Sequence, residues 1–309
     1  MTINSHLTEF AGLPVVPFDP DRPSAAAPDA VAWRLDLEGP GLAEDRFVAL
    51  TESFLRGVTP AEVRALLIGD WGDSSASPAP VDLLVRLAPR LSGLRALFVG
   101  EMTYEQCEIS WIVQADPAPL LAAYPDLEIL RIRGATQGLS LSPVRHLALR
   151  EFAIEAGGLP GDVTRAVAAC DLPALTHLEL WLGTDEYGGD TTLADLAPIL
   201  AGDRLPALRH LGLRNAEIAD EVAAAVTQAP VVGRLESLDL SLGTLSDAGA
   251  EALLAGRPLT RLRRLDLHHH YLSPEARGRL VAALPGVEID FSDRRPSARN
   301  GDRYVAVSE

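Results

Sequence analysis

The sequence predicts an α/β solenoid in which short parallel strands line the concave side and helices form the convex side. Three observations support this prediction. A hydrophobic strand pattern recurs every 27 residues, an Ala-rich amphipathic stretch follows each copy, and looser copies continue upstream. One such unit cannot bury its own row of leucines, whereas stacked units bury them in a continuous core.

The repeat is clearest in three segments, "LRHLGLRNAEIAD" (208–220), "LESLDLSLGTLSD" (235–247) and "LRRLDLHHHYLSP" (262–274). Their central leucines, Leu211, Leu238 and Leu265, are spaced 27 residues apart. Successive side chains of a strand point to opposite faces, so we expect these leucines to point inward. The residues between the leucines are then expected on the concave surface.

The looser copies and the stretches between them predict the remaining elements. Further strands are predicted at 32–37, 63–68, 94–99, 127–132, 149–154, 175–180 and 286–290. Helices are predicted at 44–56, 81–91, 160–170, 192–201, 219–229, 248–255 and 275–284. We assign 1–28 to an N-terminal capping segment and linker, 29–291 to the solenoid, and 292–309 to a flexible C-terminal tail. A cap is expected because the first repeat of a solenoid otherwise exposes its core.

These motifs resemble the leucine-rich repeat family, specifically its ribonuclease-inhibitor-like class, which has a helix in every repeat. The residues that match the family motif L-x-x-L-x-L-x-x-N/C-x-L are Leu208, Leu211, Leu213 and Ile218. The Asn/Cys position departs from the motif, since Ala216, Gly243 and His270 stand there. The chain is also similar to uncharacterised bacterial leucine-rich-repeat proteins. The resemblance implies a horseshoe that binds a partner, without specifying which partner.

Composition excludes several classes of function. The formal net charge of −16 repels nucleic acid and anionic membranes. All 27 basic residues are Arg, which excludes every mechanism that depends on a lysine. Cys107 and Cys170 form no C-x-x-C pair, and no secretory signal or membrane-spanning run is present. We therefore expect a cytoplasmic protein without a nucleic-acid or membrane partner.

The strand register also assigns side chains to the concave surface of the middle and C-terminal repeats. The candidate partner-binding residues are His177, Glu179, Trp181, His210, Arg214, Asp239, Asp266 and His268. Trp and Arg are enriched among residues that dominate binding energies, and the negative charge favours a protein partner with a basic patch. Two alternatives stay open: Trp181 packs beneath its own loop, or the acidic column, with Glu288 beside Asp266, is only a solvated surface.

The histidines His268–His270 raise the question of a metal site. Neighbouring residues on a strand alternate sides, so the three cannot converge on one ion. We expect His268 on the concave surface and His270 bonded to turn backbone. The sequence contains no H-E-x-x-H or G-x-S-x-G motif, and no G-x-G-x-x-G follows a strand.

The leading hypothesis is thus a non-catalytic interaction scaffold with no cofactor and no metal. The alternative is a metal-dependent hydrolase, or an accessory subunit of an enzyme complex. The residues that it would use are His177, His210, Asp239, Asp266 and His268.

Overall fold

The structure is a computed structural model that describes residues 3–22, 25–37, 44–135, 137–256, 259, 261–296 and 301–309. The chain forms two compact units, one of Ile3–Glu155 with Glu309 and the other of Ala156–Ser308. In Ala156–Ser308 strands alternate with helices, whereas in Ile3–Glu155 three of the described helices separate four successive strands, from Ala32–Leu35 to Ile129–Arg133. In both units the strands pair mostly in parallel. The α/β class with a mostly parallel sheet is therefore confirmed.

The first unit begins with an antiparallel pair and continues with parallel strands paired in chain order. Its strands are β1 (Glu9–Phe10), β2 (Leu13–Pro17), β3 (Ala32–Leu35), β4 (Ala65–Ile68), β5 (Ala96–Val99), β6 (Ile129–Arg133) and β7 (Glu151–Glu155). Its helices are α1 (Glu44–Gly57), α2 (Val81–Leu87) and α3 (Ala118–Ala123). The sequence pattern did not predict α3, because a six-residue apolar stretch is too short to show a helical period.

In the second unit every strand pairing between β8 and β12 is parallel and in chain order. The strands are β8 (His177–Gly183), β9 (His210–Ala216), β10 (Ser237–Asp239), β11 (Arg264–Asp266) and β12 (Glu288–Asp290). The helices are α4 (Gly161–Ala169), α5 (Leu193–Ala201), α6 (Ala219–Gln228), α7 (Asp247–Ala255) and α8 (Pro274–Ala283). Three of these helices begin where a hydroxyl side chain accepts a backbone N–H, at Thr192, Ser246 and Ser273.

The strand register of the second unit follows the 27-residue repeat. Leu211, Leu238 and Leu265 are direct neighbours on adjacent strands, and all three are fully buried. The predicted inward orientation of the leucines is confirmed. The prediction for the last strand was wrong: Glu288 pairs with Arg264, because Ile289 takes the inward position beside Leu265.

The outward face of the first unit is covered by its own N-terminal segment. This apolar face is formed by Ala32, Ala65, Leu67, Ala96, Phe98 and Ile129, and the residues packed on it are Leu7, Phe10, Leu13 and Val15. The Phe10 and Phe98 rings lie 6.0 Å apart, and Phe10 is buried. Below this contact, His6 and the Leu7 backbone N–H bind the buried carboxylate of Glu101.

The described part of the C-terminal tail makes specific contacts within the second unit. Residues 303–307 form no strand, yet Ala306 and Val307 are buried. The Asn215 side chain bonds the Val307 backbone through both its amide oxygen and its amide nitrogen. Arg303 donates to Asp220 at 2.9 Å and to the Thr244 carbonyl at 2.7 Å. Residues 297–300 of the predicted tail lie outside the described residues.

Candidate functional site

The candidate site is the outward face of β8–β12, on which three rows of side chains cross neighbouring strands. We call it the polar face. The first row is His177, His210, Ser237, Arg264 and Glu288. The second is Glu179, Gly212, Asp239, Asp266 and Asp290. The third begins with Trp181 and Arg214 and continues just beyond the strands with Ser241 and His268. The structure thus brings all eight predicted binding residues onto one face.

Arg214 links two carboxylates of the second row, Glu179 and Asp239. Its Nη1 lies 2.5 Å from Glu179 Oε1, and its Nε lies 3.2 Å from Asp239 Oδ2. The guanidinium also stands 5.0 Å from the centre of the Trp181 ring, a cation–π contact. The Trp181 indole N–H donates to the same Glu179 oxygen at 2.7 Å. One guanidinium therefore holds two carboxylates and an aromatic ring in a fixed arrangement.

Trp181 lies in the predicted outward row, but only 7% of it is exposed. The prediction of an open aromatic contact was wrong, because the Arg214 guanidinium stacks on the ring. The contacts that bury the ring include the Arg214 guanidinium and the hydrogen bond to Glu179, both on the polar face.

Gly212 makes room for this arrangement. A Cβ at position 212 would lie 2.9 Å from Glu179 Cγ and 3.5 Å from His210 Nε2. The first distance is too short for two carbon atoms, so any side chain at position 212 would displace Glu179. The missing side chain keeps the space between β8 and β10 free for the Glu179 carboxylate and the Arg214 guanidinium.

The carboxylates of the second row differ in how well their charge is compensated. Asp239 and Asp266 are direct neighbours and are only 7% and 8% exposed, so the expectation of a solvated acidic column was wrong. Burial raises the pKa of Asp239, and the negative charge of Asp266 adds to this, against the opposing effects of Arg214 and Ser241. Burial also acts on Asp266, but hydrogen bonds from His268 outweigh it and lower the pKa of Asp266.

The histidine trio divides as the strand alternation requires. His268 lies on the polar face, where its Nδ1 is 2.7 Å from Asp266 Oδ1, and this hydrogen bond raises the pKa of His268. His270 is fully buried, and its ring bonds the Phe291 carbonyl and the Leu272 N–H. The predicted bond between His270 and turn backbone is therefore confirmed. Burial lowers the pKa of both His269 and His270.

His177 and His210 stack face to face at the N-terminal end of the first row. Their ring centres lie 3.8 Å apart with an interplanar angle of 10°. Burial, with help from the neighbouring His177 and Arg214, lowers the pKa of His210 to about 3, against the opposing effect of Glu179. Burial raises the pKa of Glu179, but the neighbouring His177, the charge of Arg214 and the hydrogen bond from Trp181 outweigh it and hold that pKa well below its usual range. Both imidazoles thus lie beside a carboxylate that is charged at neutral pH.

Within the described residues, two clusters have ligand atoms close enough to hold a metal ion: His177 with Glu179 and His210, and Asp266 with His268 and Asp290. Of the five residues of the hydrolase hypothesis, His177 and His210 lie in one cluster and Asp266 and His268 in the other. Asp239 belongs to neither cluster. Asp290 is not among the predicted site residues, because the predicted register of the degenerate "GVEID" copy places Glu288 beside Asp266, two residues from the observed pairing. The sequence signal for the observed register is the pair Ile289–Asp290, which matches Leu265–Asp266.

The remaining sequence candidates have no role in this site. Cys107 is buried, and burial raises the pKa of its thiol, with the charges of Asp70 and Glu108 adding to the effect. A raised pKa leaves less of the reactive thiolate at neutral pH. Cys170 is also buried. Among the described helices, none has the length and apolar character needed to cross a bilayer.

The fold and the polar face define an α/β protein of parallel strand–helix units that carries a charged sheet face in its second unit. No family model and no curated protein matches the sequence. Among solved structures, the chain is similar to a Bacteroides fragilis protein determined as a structural-genomics target. The two share 30% sequence identity with a TM-score of 0.78, over 87% of this chain and 77% of that chain. The chain belongs to the same family as this protein, whose description states neither an activity nor a ligand.

Proposed function

We propose that this protein is a non-catalytic interaction scaffold that binds a basic segment of a partner protein on its polar face. The observation that carries the proposal is the row of three carboxylates, Asp239, Asp266 and Asp290, on directly neighbouring strands. Adjacent strands lie about 4.8 Å apart, so like charges in such a row repel by about 3 kcal/mol per pair at an effective dielectric constant of 20. A cation supplied by a partner relieves this repulsion.

The row is only partly neutralised from within. Arg214 is shared between Glu179 and Asp239, and Asp266 is bonded by His268. Asp290 accepts a backbone N–H from Ser292, which carries no full charge. Asp239 is also incompletely neutralised. Burial raises its pKa, and the negative charge of the neighbouring Asp266 adds to this effect. The acids of the polar face outnumber its arginines, which favours arginine or lysine in the partner.

The accessible part of the polar face lies over β11 and β12. Arg264 and Glu288 are exposed, and Asp290 and His268 are half-buried, whereas Glu179 and Trp181 are closed off by Arg214. We therefore place first contact with a partner over Asp266, His268 and Asp290. The residues around Trp181 support this surface from the side.

The fold is proposed to be a leucine-rich-repeat horseshoe of the ribonuclease-inhibitor-like class. The support is the 27-residue register of β9, β10 and β11, in which the leucines of one strand pair with those of the next. A helix follows each of these strands. Proteins built in this way use extended sheet surfaces for binding, which agrees with a scaffold role in the cytoplasm.

The test uses a fluorescently labelled arginine-rich peptide, with a glutamate-rich peptide of equal length as its counterpart, and follows fluorescence anisotropy at increasing salt. We expect only the arginine-rich peptide to bind, with an affinity that falls as salt rises. The double variant Asp266→Asn with Asp290→Asn should weaken binding at least about tenfold, which corresponds to about 1.4 kcal/mol. Asp290→Asn alone should weaken binding by a smaller factor. This single variant tests the role of the acidic row without altering the buried Asp266.

The matched control removes two charges from exposed helix positions, with Glu221→Gln on α6 and Glu275→Gln on α8. It should leave peptide affinity unchanged within about twofold, because these residues lie away from the polar face. Equal weakening by both double variants would show attraction to net charge alone and overturn the proposal. Absence of any arginine-dependent binding would overturn it as well.

A further inference from the structure

We infer that His177, Glu179 and His210 form a binding site for a divalent transition-metal ion of the zinc type. Two imidazole nitrogens and one carboxylate oxygen are a ligand set that Zn²⁺ and Fe²⁺ use in proteins, with further positions left for water. The inference goes beyond the proposed partner binding and rests on different residues, at the β8–β9 end of the polar face.

The first line of support is the placement of the ligand atoms. His177 and His210 are register partners on neighbouring strands, and Glu179 lies two residues beyond His177 on the same face. One ligand atom from each residue lies within 4.8 Å of those of the other two. Ligands of a tetrahedral zinc ion, at bond lengths near 2.1 Å, lie about 3.4 Å apart. The two rings stack nearly parallel at 3.8 Å, so their lone pairs lie in parallel planes. Metal binding therefore requires the rings to rotate out of the stack until both nitrogens point to one ion.

The second line of support is an unsatisfied nitrogen. Among the described residues, the buried His210 Nε2 has no hydrogen-bond partner. His177 Nε2 lies 3.5 Å from Glu179 Oε2, long for a hydrogen bond. Buried polar atoms are nearly always paired, so an unpaired imidazole nitrogen calls for a ligand. Metal coordination supplies this partner, because a neutral imidazole nitrogen carries a lone pair that can bind the ion.

The third line of support is how Glu179 is held. Both hydrogen bonds from Trp181 and Arg214 go to Oε1, which fixes the orientation of the carboxylate. Oε2 is the oxygen that faces His177. Metal-binding carboxylates are commonly oriented in this way by a second layer of donors. Arg214 does not cancel the site's charge, because it is shared with Asp239, and two carboxylates facing one guanidinium leave a net negative charge.

The second cluster, Asp266 with His268 and Asp290, lacks these features. His268 Nδ1 is already bonded to Asp266 Oδ1 at 2.7 Å, and this bond raises the pKa of His268, which favours the protonated ring over a metal ligand. Asp290 Oδ1 is bonded to the Ser292 N–H. The second cluster therefore serves as an internal control for non-specific attraction of cations to the polar face.

The experiment uses the full chain without a histidine tag, stripped with a chelator and titrated with Zn²⁺ by calorimetry. We expect one ion per chain in the wild type. His177→Ala and His210→Ala should each weaken binding by about 100-fold or more, while His268→Ala should bind as the wild type does. Thermal melts of each variant without metal show whether it is folded.

A measurement on the wild type keeps the test independent of variant folding. Zn²⁺ should shift the side-chain nitrogen resonances of His177 and His210 in NMR spectra and leave those of His268 unchanged. Absence of stoichiometric binding would overturn the inference, as would loss of binding in His268→Ala with retention in His210→Ala. These outcomes are separate from the peptide test, in which neither His177 nor His210 is altered.

Discussion

The outward faces of the two units show how one strand pattern supports two different surfaces. In residues 3–155 the outward positions of β4 and β5 carry Ala, Leu and Phe, and the segment around Phe10 packs on them. Charged residues are confined to other outward positions of this unit, such as the Arg131–Glu151 ion pair on β6 and β7. In residues 156–308 the equivalent positions carry His, Asp, Glu and Arg, which bond to one another. The inward leucines are the same in kind in both units. The fold thus depends on the inward residues. The outward residues determine whether the N-terminal segment packs on the sheet face or charged side chains form ion pairs there.

The largest effect that tests this comparison is expected from Phe98→Ala. Phe98 is fully buried between Phe10 and the Arg133 guanidinium, which lies 5.0 Å from its ring. Its removal should lower the free energy of unfolding by about 3–5 kcal/mol in urea melts. Ser237→Ala, at an outward position of the second unit, should change it by no more than about 0.5 kcal/mol. Similar losses from both variants would mean that the two faces do not differ in kind.

A smaller loss, of about 2–4 kcal/mol, is expected from Arg214→Met. The substitution keeps much of the side-chain volume but leaves Glu179 and Asp239 buried without their cation, which is where the cost arises. Arg264→Met is the matched control, because the Arg264 side chain is 54% exposed and its pair with Asp266 is screened by solvent. Urea melts at neutral pH measure both variants. If Arg214→Met were as mild as its control, the polar face would not be held together by ion pairs.

The smallest expected effect is on the pH dependence of stability, and it tests whether His210 on the polar face is held neutral. Its pKa is lowered to about 3 in the folded chain, mainly by burial, against 6.5 as the ordinary value. Between these values the unfolded chain binds more protons, so acidification costs stability by up to about 1.4 kcal/mol per pH unit. Above pH 6.5 the group contributes nothing to the pH dependence. His210→Gln should therefore flatten the decline in stability between about pH 7 and pH 5 in urea melts. An unchanged slope in this variant would argue that His210 is not held neutral.

The fold was predictable from sequence because the repeat constrains it at two levels. The spacing of Leu211, Leu238 and Leu265 specifies both the strand register and the inward side, and the structure has the three as direct neighbours. Helices that follow a strong apolar period were located to within a few residues; α7, predicted at 248–255, spans Asp247–Ala255. The short α3 has no such period.

The sequence predicted which residues lie on the candidate site's face, but not how their side chains are paired and buried. Strand alternation placed His177, Arg214 and Asp266 on one face, as the pairing shows. Alternation says nothing about where a long side chain bends, and Arg214 crosses between strands to cover Trp181 and reach Asp239. Similarly, a cap was predicted for residues 1–28, but no local pattern specified that the segment around Phe10 would fold over the sheet face.

Gly212 makes one residue's identity depend on another's. Its backbone angles do not require glycine; the requirement comes from the Glu179 side chain, whose Cγ occupies the space that a Cβ would need. A larger residue at position 212 therefore requires the Glu179 side chain to move or to be replaced by a shorter one. Either change would remove the carboxylate that Trp181 and Arg214 both bind. We therefore expect substitutions at positions 179 and 212 to occur together in related sequences. The combination of Glu at 179 with Gly at 212 would then identify relatives that keep the polar face.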